Sequence, residues 1–120
     1  MILGIYINKN KRNLIDILKI INSEFPVSEY DYIYLNEQNF ISELIDTPLE
    51  NLNKNTDYDI LISIGGDGTI LSAIRSEYEN EKPILGIHAG RLGFLAESDI
   101  KNCKKILKLI KRSKYTIEKR

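Results

Sequence analysis

The residues Gly65-Gly66-Asp67-Gly68-Thr69 set one carboxylate among three glycines, directly after the apolar run Ile60-Leu61-Ile62-Ser63-Ile64. Glycines at this point let the chain turn sharply and bring backbone N–H groups against a ligand that side chains would hold away. The run before the turn suits a strand buried on both faces of a parallel sheet. A helical pattern opens at Thr69, so the turn joins a strand's carboxyl end to a helix's amino end, where open α/β sheets take anionic ligands. The turn lacks the Gly-Lys-Ser/Thr of a P-loop, and no lysine lies beside it in the sequence. It also departs from the dinucleotide fingerprint, because Leu71 stands where the third glycine belongs. Phosphate charge must then be met by Mg²⁺ or by residues from elsewhere. Asp67 either holds a metal, or accepts a proton from a hydroxyl, or closes an Asx-turn on its own backbone; the first two belong to phosphoryl transfer. Asp57 and Asp59 sit at the opposite end of the strand, about 15 Å away, and are weaker candidates.

A second glycine-rich segment follows, His88-Ala-Gly-Arg-Leu-Gly-Phe-Leu. In it Arg91 has the chemistry to clamp a phosphate, Phe94 to stack on a base, and His88 to hydrogen-bond. Each also has a plain structural role as a solvated arginine, a core phenylalanine or a backbone-satisfied histidine. Cys103 is the single cysteine, which excludes a disulfide framework or a cysteine metal site within one chain and reads best as a small core residue.

The elements that must position these residues alternate. Ile2 to Ile7 reads as a first strand, residues 11–24 as a helix with Leu14, Ile17, Leu18 and Ile21 on one face, and Tyr30 to Leu35 as a second strand. A short helix around Ile41 to Ile45 and a loop over Pro48 to Thr56 precede the strand Asp59 to Ile64. A helix over Thr69 to Glu79 then carries Ile70, Leu71 and Ile74 on its sheet side. Pro83 to Ile87 forms another strand, and a last helix capped by Ser98 or Asp99 turns Ile100, Cys103, Ile106, Leu107 and Ile110 inward. This order predicts an α/β domain in three layers, doubly wound around a mainly parallel sheet. Tyr115 to Arg120 alternates apolar and polar residues like the opening of a new strand, so residues 1–113 form the domain and 114–120 lead into another.

The chain of 120 residues is long enough for one core. With 17 basic and 17 acidic residues its formal charge is zero, which gives no bulk attraction to nucleic acid or a membrane surface. The basic run Lys101, Lys104, Lys105, Lys108, Lys111 and Arg112 falls at helical spacing and reads as a solvated face. The amino terminus has no basic n-region and no run reaches membrane-spanning length, so the expected location is the cytoplasm.

Taken together, Gly65-Gly-Asp-Gly-Thr and Pro83-Ile-Leu-Gly-Ile-His-Ala-Gly-Arg-Leu-Gly-Phe-Leu-Ala-Glu resemble the amino-terminal domain of the ATP-dependent NAD kinases. The first motif is shared with diacylglycerol and sphingosine kinases and, loosely, with phosphofructokinases; the second is much more specific. Members often carry Asn where this chain has His88. The resemblance implies transfer of the ATP γ-phosphoryl group to the 2′-hydroxyl of the NAD adenosine ribose, with a divalent cation such as Mg²⁺. Asp67 then matches the proposed proton acceptor, Gly65, Gly66, Gly68 and Thr69 the turn at the phosphates, and Leu71, Arg91, Leu92 and Phe94 the dinucleotide pocket. It further implies a homo-oligomer assembled through a β-rich second domain, whose NAD-binding segments this chain does not reach, so that the chain alone is expected to be inactive. A lipid or sphingoid-base kinase of the same superfamily and a non-catalytic nucleotide-binding remnant are the alternative readings.

Overall fold

A computed structural model describes residues 1–11, 13–53, 57–89 and 97–118. Four strands, β1 (Ile2–Ile7), β2 (Asp31–Tyr34), β3 (Ile60–Gly65) and β4 (Ile84–His88), form one all-parallel sheet in the order β2-β1-β3-β4. Between them run α1 (Leu14–Glu24), α2 (Gln38–Leu44), α3 (Leu49–Leu52) and α4 (Asp67–Glu77), and α5 (Glu97–Glu118) follows β4. The expected three-layer, doubly wound α/β fold is present. Leu3, Ile5 and Ile7 of β1 and Ile60, Ile62 and Ile64 of β3 face α1 and Leu107 of α5 in one buried cluster. On the other face Leu61 packs with Ile33, Tyr58 and Ala73 of α4 in a second. All six residues of β3 are buried, which is why its sequence is an almost unbroken apolar run rather than an alternating one.

Two asparagines act as pieces of strand. Asn36 accepts from the Ile7 N–H (2.9 Å) and donates to the Ile7 carbonyl (2.8 Å), extending the β1 pairing past the end of β2. Asn53 does the same to Tyr34 (2.8 and 3.0 Å), filling backbone groups that an edge strand would otherwise leave open. At the amino ends of the strands Asp59 accepts from the Ile2 N–H (2.6 Å) and Asp57 pairs with Lys82 (3.4 Å), so both carboxylates are structural.

Several expectations change in the structure. The loop expected over Pro48 to Thr56 contains α3, which buries Leu52. The helix expected from Thr69 begins two residues earlier, so Asp67 and Gly68 are its first turn. Of its expected inner residues, Leu71 and Ile74 are exposed, whereas Ala73 is buried and Ile70 lies against Gly86. The last helix begins at Glu97, so the expected cap positions 98 and 99 fall within its first turn. That helix runs through Tyr115–Glu118, where a strand opening was expected. A helix satisfies its backbone groups from its own chain, while a strand needs a neighbour to pair with, and the alternating pattern carries no information about one. On α5 the lysines 101, 104, 105 and 108 are exposed as expected and Leu107 is buried, but Ile106, expected to face inward, is exposed, the adjacent Leu107 holding the buried position of that turn. Lys111 instead donates to the Glu24 carbonyl and lies over the rings of Phe25 (5.1 Å) and Tyr30 (5.7 Å), joining α5 to the end of α1.

Candidate functional site

The strand order reverses direction between β1 and β3: β1 connects outward through α1 to β2, and β3 connects outward through α4 to β4. Helices leave on opposite faces at such a point, and a crevice opens at the carboxyl ends of the two strands. Here that crevice is a cavity of about 680 Å³ lined by the β1 loop Asn8 to Lys11, by Asn36 and Glu37 beyond β2, and by Gly66 to Thr69 and Ser72.

Each glycine of the turn has its own reason. At Gly65 an added Cβ would stand 2.7 Å from the Thr69 Cβ, so this position must be glycine for α4 to fold back onto β3. At Gly68 an added Cβ would meet nothing within 4 Å, and at Gly66 only the Lys11 ammonium, at 3.9 Å. Neither packing nor a left-handed backbone requires glycine at 66 or 68, and both face the cavity. Space of that kind is what a ligand approaching the backbone would use. The Gly66 carbonyl accepts from the Thr69 and Ile70 N–H groups (both 3.1 Å), which starts the helix and leaves the earlier amides of its first turn without intrahelical partners. Those amides and the helix dipole favour an anion.

Asp67, with its side chain 88% exposed, stands at the head of α4, and its Oδ1 is 3.4 Å from Nε2 of His88 at the end of β4. His88 therefore has a carboxylate partner that its place in the sequence did not reveal. The structure also supplies a cation near the turn: Lys11, from the loop after β1, shares the cavity with Gly66 and Asp67. It is 55 positions from the turn, and only the β1–β3 pairing brings it there. The signal that was available is the polar run Asn8-Lys-Asn-Lys immediately after an apolar strand. Lys9, in the same loop, is paired with Glu37 at 3.2 Å.

Gly66, Asp67, Gly68 and Thr69 are thus gathered at one cavity, with Gly65 packed behind it. Leu71 is 55% exposed and does not line the cavity. Arg91, Leu92 and Phe94 lie outside the described residues. Cys103 is half-buried, and burial with Glu24 nearby pushes its thiol pKa up, which suits an unreactive packing residue. Among the described residues no three His, Cys, Asp or Glu side chains converge as a metal cage, and no helix is long and apolar enough to cross a membrane.

The model of the ATP-NAD kinase N-terminal domain family matches residues 4–115. An NAD kinase of Caldicellulosiruptor bescii is 32% identical over 120 residues, covering 100% of this chain and 41% of the relative. One of Clostridium botulinum is 34% identical over 122 residues, covering 98% and 40%. One of Clostridium kluyveri is 46% identical over 68 residues, covering 57% and 24%. The chain spans about two fifths of the length of the first two of these relatives. A parallel sheet doubly wound about a switch-point cavity, with the Gly-Gly-Asp-Gly-Thr turn at its floor, accompanies a match over nearly the whole chain: the chain belongs to the ATP-NAD kinase N-terminal domain family.

Proposed function

We propose that this chain is the phosphate-binding half of an NAD kinase, which transfers the γ-phosphoryl group of ATP to the 2′-hydroxyl of the NAD adenosine ribose. The observation that carries the reading is the exposed Asp67 carboxylate at the head of α4, beside the cavity that Gly66, Gly68 and Thr69 leave open. The first-turn amides of α4 and the Lys11 ammonium bind the donor phosphates and stabilise the charge that builds on them during transfer. Asp67 accepts the proton of the 2′-hydroxyl as its oxygen bonds to the γ-phosphorus and the bond to the β–γ bridging oxygen breaks, releasing ADP. His88 holds the Asp67 carboxylate in place from the end of β4. With Asp67 given to the proton, the Thr69 hydroxyl is the group the turn would lend to Mg²⁺ carried in on ATP, an ion that takes most of its ligands from phosphates and water. Bound there, Mg²⁺ would neutralise phosphate charge. Leu71, Arg91, Leu92 and Phe94 belong to the acceptor side in this reading, and a β-rich second domain completes the NAD site and carries the homo-oligomeric contacts. Its place of work is the cytoplasm.

The test is NADP formation from NAD, ATP and Mg²⁺ by a two-domain protein, made by joining this chain to the portion of the C. bescii relative beyond the aligned region. Turnover is expected, with Asp67→Asn lowering it at least about 100-fold while the fold survives. Undiminished turnover in the variant would remove Asp67 from the chemistry. Phosphorylation of diacylglycerol or sphingosine in place of NAD would favour a lipid kinase, and nucleotide binding without turnover a non-catalytic role.

A further inference from the structure

The switch-point cavity does not end at the phosphate turn. It reaches across β1 to Asn36 and Glu37, beyond β2, which lies two strands away from β3 and so about 10 Å across the sheet. Glu37 is a second carboxylate in this cavity, remote from Asp67, and like any carboxylate it accepts hydrogen bonds and repels the phosphates proposed for the turn. What it can receive is a donor. We propose that Glu37 receives the ribose hydroxyls of the phosphoryl donor, so that this cavity selects a ribonucleoside triphosphate over inorganic polyphosphate; the inference rests on the kinase reading above and specifies its donor.

Three observations converge on Glu37. Its backbone is left-handed (φ 53, ψ 38), a conformation that costs a residue with a Cβ and that the surrounding structure must impose. Asn36 imposes it in part, since both ends of its amide are held on the Ile7 backbone and the chain is pinned one residue before Glu37. The carboxylate is then met by Lys9, whose ammonium lies 3.2 Å from Oε2 and is the charged partner that Glu37 has among the described residues. Lys9 offsets the charge of this carboxylate at Oε2, and a carboxylate keeps further lone pairs with which to accept from hydroxyls. The order along the cavity is therefore anion site at Gly66 to Thr69, cations from the β1 loop in the middle, and an acceptor at the far end. A nucleoside triphosphate has the same order: anionic tail, then ribose hydroxyl donors. Dinucleotide folds divide the work in a like manner, with an acidic residue near the second strand taking the ribose.

The experiment is calorimetric titration of the 120-residue chain and its Glu37 variants with ATP, 2′,3′-dideoxy-ATP and tripolyphosphate, each with Mg²⁺. Wild type is expected to bind dideoxy-ATP about tenfold more weakly than ATP. Glu37→Gln should bring ATP down to the dideoxy level and leave tripolyphosphate no weaker. Glu37→Gly is the control for folding, because glycine suits the left-handed backbone, and it should also lose the discrimination between the two nucleotides. Equal binding of ATP and dideoxy-ATP by wild type, or undiminished ATP binding in Glu37→Gln, would overturn the proposal and leave the kinase reading standing, since that reading is judged by Asp67-dependent NADP formation. A wild-type chain that binds neither ATP nor tripolyphosphate at millimolar concentration would overturn the proposal and the donor cavity together.

Discussion

Gly65 and Gly68 are three residues apart in one turn and are glycine for opposite reasons. A methyl group at 65 collides with the Thr69 side chain, whereas one at 68 enters open space in the first turn of a helix. Gly65→Ala should therefore destabilise the fold by about 1 to 3 kcal/mol, the usual penalty for overpacking. Gly68→Ala should be neutral or stabilise by up to about 1 kcal/mol, because alanine loses less backbone freedom in a helix. Thermal unfolding separates the two, and ATP titration should reverse their order, with Gly68→Ala the more harmful to binding if phosphates approach that backbone. All five positions of the turn were legible as a candidate site from residue types alone. Lys11 and Glu37 were not, because what makes them neighbours of the turn is the order of strands in the sheet.

At the level of elements, β2 shows how a sheet edge depends on polar tips. Tyr32 and Tyr34 stack at 6.0 Å, and the Tyr32 hydroxyl donates to the Phe25 carbonyl at 2.6 Å. Burial raises both phenol pKa values above the ordinary one, and for Tyr32 the neighbouring Tyr34 adds to it. A phenol whose folded pKa is raised contributes stability that is fully present below the unfolded value of about 10 and is lost as pH climbs from there toward the folded value. Unfolding free energy, measured by denaturant titration, should be level from pH 7 to about pH 8, begin to fall as pH passes the unfolded value of the Cys103 thiol, about 8.5, and fall more steeply above pH 10. Tyr32→Phe should cost about 1 kcal/mol at neutral pH, from the lost hydrogen bond, and make the alkaline fall shallower. The strands themselves were readable to within a residue or so, because β-branched runs bounded by polar turns have few other uses. The inward face of α4 was not: Ile70, Leu71 and Ile74 are similar in hydropathy, and only the position of Gly86 on β4 decides that Ile70 docks while Leu71 stays exposed.

For the molecule as a whole, one sheet with a single switch point opens a crevice at the carboxyl ends of its strands, lined among the described residues by the segments that follow β1, β2 and β3. The chain matches about two fifths of the length of relatives named NAD kinase. On the proposed division of labour, the 120-residue chain should bind ATP yet form no NADP, and the two-domain protein should do both. NADP formation by the chain alone, lost in Asp67→Asn, would show that it assembles an acceptor site without a second domain. What the sequence determined by itself was local: the buried strands, the glycine turn between β3 and α4, the carboxylate within it and the family it resembles. Those features lie within short stretches of chain, where side-chain type and spacing act directly on the backbone. What the tertiary structure alone decided was which distant groups face that turn. Lys11 meets Gly66, His88 meets Asp67, and Glu37 closes the far end of the cavity. Each of these follows from the pairing order β2-β1-β3-β4, a choice made by packing whole faces against helices, which no single segment of the sequence encodes.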